Sequence, residues 1–229
     1  MKKIKQAILS YNLSDNLPQR YGHKLRGFFA NNFSEVLFHN HKDNGEYRYG
    51  YPLIQYKIIN GTPVITGLED GAKLISQNFL DIEELILADQ KYIDPEMQLK
   101  VNELELKVYS DLNTPKYKYE LMTPWIGLNQ SNYQKYKTEI QSKPKKIQDD
   151  FLNKIMIGNI LSFAKGIDWW VEDQIEVISD FEKINIQFKN KDMIGFVGEF
   201  YSNIKLPNRI GLGKSTTRGF GTIRRSKLT

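Results

Sequence analysis

Two tandem α+β units, each ordered strand–helix–strand–strand–helix–strand, are the fold class that this 229-residue sequence predicts. Three observations predict it. Stretches with apolar residues at period 2 alternate with stretches at helical spacing, and the alternation runs twice along the chain. Asn60-Gly61 and Asn190-Lys191-Asp192 are turn signals at matching places, where a hairpin joins the second and third strands of each half. Asn113-Thr114-Pro115 interrupts the pattern between the halves. This element order is the split βαβ, or ferredoxin-like, unit. The expected domains are 1–112 and 115–229. No sequence repeat relates the halves, so the duplication rests on element order alone.

In the first unit, residues 3–13 read as a strand. Ser14 to Gln19 is turn chemistry around the rigid Pro18. Leu25, Phe28, Phe29, Phe33 and Val36 recur at helical spacing and predict an amphipathic helix over 20–36. Phe38 to Gly45 is a polar loop. Residues 46–59 have high β-propensity, and 63–68 form the paired strand after Asn60-Gly61. A second helix is expected over 71–88, with Leu74, Ile75, Phe79, Ile82, Leu85 and Ile86 on one stripe. Residues 98–110 alternate as the closing strand.

The second unit starts with a strand over 117–128. A short helix follows to Ile140, then a stronger one over 145–165 with Gly166 as its stop. Residues 174–189 and 192–204 read as a long hairpin, and 221–226 as the last strand. The second helix of this unit is expected to be shortened to a turn or missing. Trp169-Trp170, after the long helix, read as anchors of a core edge.

Composition narrows the chemistry. The chain has no Cys, which excludes disulfides, thiolate catalysis and Cys-based zinc sites. Lys2, Lys3 and Lys5 precede an apolar stretch of only three residues, and no run reaches the ~18 apolar residues of a membrane span. A cytoplasmic location is expected. The formal net charge is +5, yet 200–229 carry seven Lys or Arg and no Asp or Glu. A basic end on an otherwise balanced chain points to a phosphate-rich partner.

Within that basic end lies Gly211-Leu212-Gly213-Lys214-Ser215-Thr216-Thr217-Arg218-Gly219-Phe220-Gly221. A nucleotide-binding P-loop is excluded. Asn208 stands where its first glycine belongs, and Gly219 and Gly221 would break the helix that such a loop must open. The dinucleotide fingerprint fails at Thr216. Two readings stay open: a glycine-rich turn before a strand, and a backbone-lined cradle for RNA phosphates. In the second, Gly211, Gly213, Gly219 and Gly221 let N–H groups approach oxyanions. Lys214, Arg218, Arg224 and Arg225 add charge, and Ser215, Thr216 and Thr217 add hydroxyl donors.

The bracket of Gly-apolar-Gly, five residues, Gly-apolar-Gly resembles the glycine-rich loop of the CRISPR-associated endoribonucleases that process repeat RNA. That family is built from two ferredoxin-like domains, the order reached above. The resemblance implies a metal-independent endoribonuclease without a cofactor and with CRISPR repeat RNA as partner. It implies attack by the 2′-hydroxyl, leaving 2′,3′-cyclic phosphate and 5′-hydroxyl ends. The alternative is a non-catalytic RNA-binding subunit of a CRISPR ribonucleoprotein complex. Association with other effector subunits and a homodimer both stay open.

The chain has three His: His23, His39 and His41. The resemblance assigns the catalytic His to the stretch Phe38-His39-Asn40-His41-Lys42. An imidazole titrates near neutrality and can take or give a proton. Two His at i, i+2 point to opposite sides of an extended segment, so one is expected to dominate. His41 is favoured over His39, with Lys42, Tyr47 and Tyr49 as helpers. Tyr47, Tyr49 and Tyr51 share a strand face, to stack on bases or pack on the second unit. Lys24 and Arg26 of the first helix are candidates to line the cleft. His23 reads as a surface or packing residue. No metal site is expected, because only Asp43 and Glu46 stand near the His pair.

Overall fold

The computed structural model of the protein describes residues 1–33, 35–39, 50–110, 117–188 and 191–226; the side chains of Val36, His39, Phe188 and Lys191 fall outside that description. The first unit runs β1 (Lys2–Asn12), α1 (Gly22–Asn32), α2 (Val36–His39), β2 (Ile54–Ile59), β3 (Thr62–Leu68), α3 (Asp70–Asn78), β4 (Glu84–Leu87), β5 (Gln90–Ile93) and β6 (Glu96–Leu106). The second runs β7 (Tyr117–Leu121), α4 (Gln130–Lys135), α5 (Lys145–Gly166), β8 (Val177–Phe188), β9 (Lys191–Ser202) and β10 (Ile223–Ser226). The sheets are ordered β2-β3-β1-β6 and β10-β7-β9-β8, and every pairing is antiparallel. In each, the unit's first strand lies between its third and fourth. Both units are therefore ferredoxin-like, and the chain is an α+β protein of two domains.

The hairpin expected at Asn60-Gly61 forms. Asn60 has φ 48° and Gly61 φ 80°, both in the left-handed region that a two-residue hairpin turn demands. The first helix is shorter than its periodicity suggests. A 3₁₀ turn, Gln19–Tyr21, leads into α1 from Pro18. α1 ends where Phe33 turns extended, and the Asn32 side chain donates to the Phe28 carbonyl, 2.8 Å away. Leu25 and Phe29 are its buried apolar face. Phe29 stacks on Phe33 and lies within 6.0 Å of Phe38 and within 5.6 Å of Tyr56, centroid to centroid. Phe29→Ala would break this packing at a cost of about 3–5 kcal/mol.

The helix expected over 71–88 stops at Asn78, passes through a 3₁₀ turn at Phe79–Asp81, and gives way to the β4–β5 hairpin. Leu85 and Leu87 face inward while Ile86 is 41% exposed, so this half of the stripe follows period 2. The strands expected over 46–59, 98–110 and 117–128 are observed over Ile54–Ile59, Glu96–Leu106 and Tyr117–Leu121. α4 continues as a π-helical turn, Tyr136–Ile140, before α5. In the second unit the second helix is reduced to a 3₁₀ turn, Thr216–Arg218, inside the glycine-rich stretch.

The two faces of the first sheet have different partners. Ala7, Leu9, Tyr11, Ile54, Tyr56, Ile58 and Ile65 pack under α1 and α3. Ile4 and Leu68, on the opposite face, belong to the core that contains Trp125, Phe163, Phe196 and Leu212 of the second unit. Between them lie buried polar residues, Gln6, Gln55, Lys57 and Thr66. The face that an isolated unit of this fold leaves open is covered by the second unit.

Candidate nucleic-acid interface

The glycine-rich stretch occupies the position of the missing helix. Its backbone is largely folded on itself and on its neighbours. Gly211 and Thr222 form a β-bridge, Leu212 N–H donates to Gly221, Lys214 N–H to Ile126, and Gly221 N–H to Pro124, each at 2.8–2.9 Å. Gly221 has φ 63°, and a Cβ there would stand 2.0 Å from the Leu212 oxygen. The turn Thr216–Arg218 adds Arg218 N–H to Ser215 O and Gly219 N–H to Thr216 O. The N–H groups of Ser215, Thr216 and Thr217 have no acceptor among the described residues. Of the two readings the sequence left open, the glycine-rich turn before a strand is the one observed. Its glycines shape the fold; Lys214 is exposed, Ser215 and Thr217 are half-buried, and Thr216 is buried.

This turn is seated on the first unit. A Cβ at Gly219 would lie 3.2 Å from both Lys57 Cα and the Tyr56 oxygen, and Gly219 has φ 89°. A side chain there would be strained at this φ and would press on β2 at close range. Thr123 and Thr222 donate their hydroxyls to the Gly219 carbonyl, at 2.6 and 3.1 Å. The Gly211 peptide is held from both sides. Its N–H donates to Gln55 Oε1 at 2.8 Å, and its carbonyl accepts from Tyr51 Oη at 2.8 Å. Gln55 Oε1 also accepts from Lys57 Nζ at 2.6 Å. Lys57 is fully buried, and among the described residues no carboxylate pairs with it. Burial pushes its amine well below the ordinary lysine range. Burial pushes the Tyr51 phenol up, against weaker opposing effects of the nearby Gln55 side chain and of its hydrogen bond to Gly211, and keeps it a donor.

His41, Lys42 and Tyr47 lie outside the described residues, as does Tyr49. His39 is the last residue of α2, and its side chain is outside the description. The described residues on either side are anchored. Phe38, in the aromatic cluster of α1, accepts at its carbonyl from Tyr56 Oη at 3.3 Å. Tyr51 packs edge-on against Phe163 of α5 and reaches Gly211. Of the two roles open to Tyr51, packing on the second unit is the observed one. His23 is exposed, with Nδ1 2.5 Å from the Arg20 carbonyl oxygen, and reads as a surface residue. Lys24 is exposed and Arg26 half-buried, both on α1.

Arg224 and Arg225 are adjacent on β10 and therefore face opposite sides of the sheet. Arg224 pairs with Glu120 and lines a cleft of about 530 Å³ between the two sheets. Lys100, Arg209 and Asn208 line the same cleft. Arg225 instead lies over the Tyr117 ring, 5.5 Å from its centroid. The sequence candidates thus separate into the turn, the cleft and the far face of β10. Among the described residues no cluster of His, Asp and Glu suits a metal ion. No helix among them is long and apolar enough to cross a membrane.

Gln55 and Lys57 were not among the sequence candidates, whereas Tyr51 was, to stack on bases or pack on the second unit. One signal was available. Lys57 is the only charged residue in the run Ile54-Gln55-Tyr56-Lys57-Ile58-Ile59, which is otherwise apolar or uncharged.

Two family models cover nearly the whole chain. The Cas6b N-terminal domain matches residues 2–105, and the Cas6b C-terminal domain matches 111–226. The chain belongs to the Cas6b family. A crystal structure of Cas6b is 32% identical and superposes with a TM-score of 0.88, covering 98% of this chain and 100% of that one. A second structure, of the CRISPR RNA processing endoribonuclease Cas6b, is 28% identical with a TM-score of 0.74, over 97% and 100% of the two chains. An uncharacterized protein of Methanocaldococcus jannaschii is 36% identical over 145 residues, which are 63% of this chain and 93% of that protein. Membership of the Cas6b family bears out the resemblance carried by the glycine bracket, and both units are matched.

Proposed function

We propose that this Cas6b-family chain is a metal-independent endoribonuclease that cuts CRISPR repeat RNA. The observation that carries the proposal is the pair of anchors around the His-bearing segment. One anchor, Phe38, is tied to Tyr56 of β2, and the other, Tyr51, to Gly211 of the glycine-rich stretch. A phosphate held by the N–H groups of Ser215–Thr217 and by Lys214 and Arg218 is then held close to the end of that segment.

In the proposed reaction the 2′-oxygen beside the scissile phosphate attacks phosphorus, and the bond to the 5′-oxygen breaks. One group takes the 2′-hydroxyl proton and another protonates the departing 5′-oxygen. His41 is the favoured proton carrier and His39 the second. Lys42 and Tyr47 supply the remaining proton or positive charge for the phosphorane. Gly211, Gly213, Gly219 and Gly221 shape the cradle, and the N–H groups at Ser215 and Thr216 complete it. Arg224 extends RNA binding into the cleft once its pair with Glu120 is shared with phosphate, and Arg225 serves on the far side of β10. Phosphate contacts give affinity that falls with salt, while choice of sequence comes from contacts to bases and shape.

The test is cleavage of a CRISPR repeat RNA in EDTA by the wild type beside His41→Ala and His39→Ala. Cutting by the wild type that is lost in at least one variant supports the enzyme. Tight binding with no cutting by any of the three identifies a non-catalytic RNA-binding subunit. Activity that EDTA abolishes and magnesium restores overturns the proposed mechanism.

A further inference from the structure

The bonds around Gly211 form a closed circuit between the two units. Gln55 is its centre. Its Oε1 accepts from Lys57 Nζ and from Gly211 N–H, while its Nε2 donates to the Pro52 carbonyl at 3.2 Å. Tyr51, next to Pro52, closes the circuit through its hydroxyl on the Gly211 carbonyl. Tyr51 is itself wedged, since a Cβ at Gly166 of α5 would stand 2.2 Å from Tyr51 Cβ. Gly211 is fixed against the turn, because a Cβ there would meet Thr216 Cβ at 2.7 Å and the Phe220 oxygen at 2.9 Å. A displacement of the turn is therefore passed to Tyr51 and Pro52 through few bonds.

A buried amine with no carboxylate beside it, among the described residues, is a costly way to fill a domain interface. Methionine of similar volume would fill it without desolvating a cation. What lysine supplies and methionine lacks is a further donor to Gln55 Oε1, which, beside the bonds to Gly211 N–H and the Pro52 carbonyl, holds the amide with its oxygen toward Gly211. We propose that Tyr51, Gln55 and Lys57 are positioning residues that register the glycine-rich turn with the His-bearing segment, so that RNA held on one is presented to the other. The inference rests on the endoribonuclease reading and deepens it. None of the three needs to touch RNA.

The test uses the full chain with a repeat RNA and three readouts: Tm, RNA Kd and single-turnover cleavage rate. Tyr51→Phe removes one hydroxyl and leaves the ring. It is expected to lower the cleavage rate about 3- to 10-fold, the factor carried by a hydrogen bond, with Kd changed less than about twofold. Lys57→Met is expected to raise Tm and yet lower the cleavage rate by a similar factor. A merely structural lysine would not dissociate stability from rate in this way. Wild-type rates in both folded variants overturn the proposal, as does a fall in Tm of Lys57→Met, or rates that fall only in step with binding. If the wild type itself binds and does not cut, the endoribonuclease reading fails and takes the positioning role with it. If the wild type cuts and Tyr51→Phe cuts as fast, only the positioning role fails.

Discussion

Gly22 at the start of α1 and Arg218 in the glycine-rich turn meet across the two units: a Cβ added at Gly22 would stand 2.6 Å from the Arg218 carbonyl oxygen. The same Cβ would lie 3.4 Å from the Tyr56 oxygen, so α1, β2 and the turn converge at one place. Alanine favours a helix over glycine by about 1 kcal/mol. The clash with backbone opposes that gain by about 1–3 kcal/mol. Gly22→Ala is expected to lower Tm and to weaken RNA binding together. Calorimetry and an RNA titration check it, and a more stable variant with unchanged binding would count against this seating of the turn.

Salt dependence separates the basic residues. Lys214 is exposed beside the N–H groups at 215–217, whereas Arg224 is paired with Glu120. Each phosphate of a single strand that a cation neutralises adds about 0.7 to the steepness of log K against log salt. Lys214→Ala is expected to flatten the slope by about 0.7, the value of one phosphate, and Arg224→Ala to flatten it less. A filter-binding series at several salt concentrations measures both slopes.

Lys57 gives stability a pH dependence of defined sign. Its amine titrates below the ordinary lysine value in the folded chain, so between the two values the unfolded chain binds more protons. Stability therefore rises with pH across that window. The destabilisation is complete below the folded value and vanishes above the unfolded one. Lys57→Met lacks this dependence. Its excess Tm over the wild type should shrink as pH rises from 7 toward about 10. Tyr51 and Tyr56, whose phenols burial pushes up, work in the opposite direction above about 10, so the comparison belongs below that pH.

Local rules made much of the fold legible. The Asn60-Gly61 turn, the stripe of Leu25 and Phe29, and the start of α5 behind Pro144 all follow from neighbouring residues. The β4–β5 hairpin escaped for a physical reason. Its turn puts Ala88 at φ 57°, with no glycine or asparagine to announce it, and Leu85 and Ile86 fit a helical stripe as well as a strand. Trp169 and Trp170 divide. Trp169 is 8% exposed and anchors the core edge as expected, while Trp170 is 85% exposed. The interface was the least legible part. Period 2 assigns Gln55 and Lys57 to the face opposite Tyr56, which reads as wet in a single unit. They are buried because Gly211 and Gly219, more than 150 residues later, close over them. Only the pairing of whole units decides that, and no window of sequence carries it.

In the proposed reaction the RNA's own 2′-hydroxyl is the nucleophile. A repeat RNA with a single 2′-deoxy substitution at the scissile nucleotide, incubated in EDTA beside the all-ribose strand, tests it most directly. The all-ribose strand should be cut to 2′,3′-cyclic phosphate and 5′-hydroxyl ends, while the substituted strand binds equally well and stays whole. Cleavage of the substituted strand at the same bond, or products ending in 5′-phosphate, would contradict it.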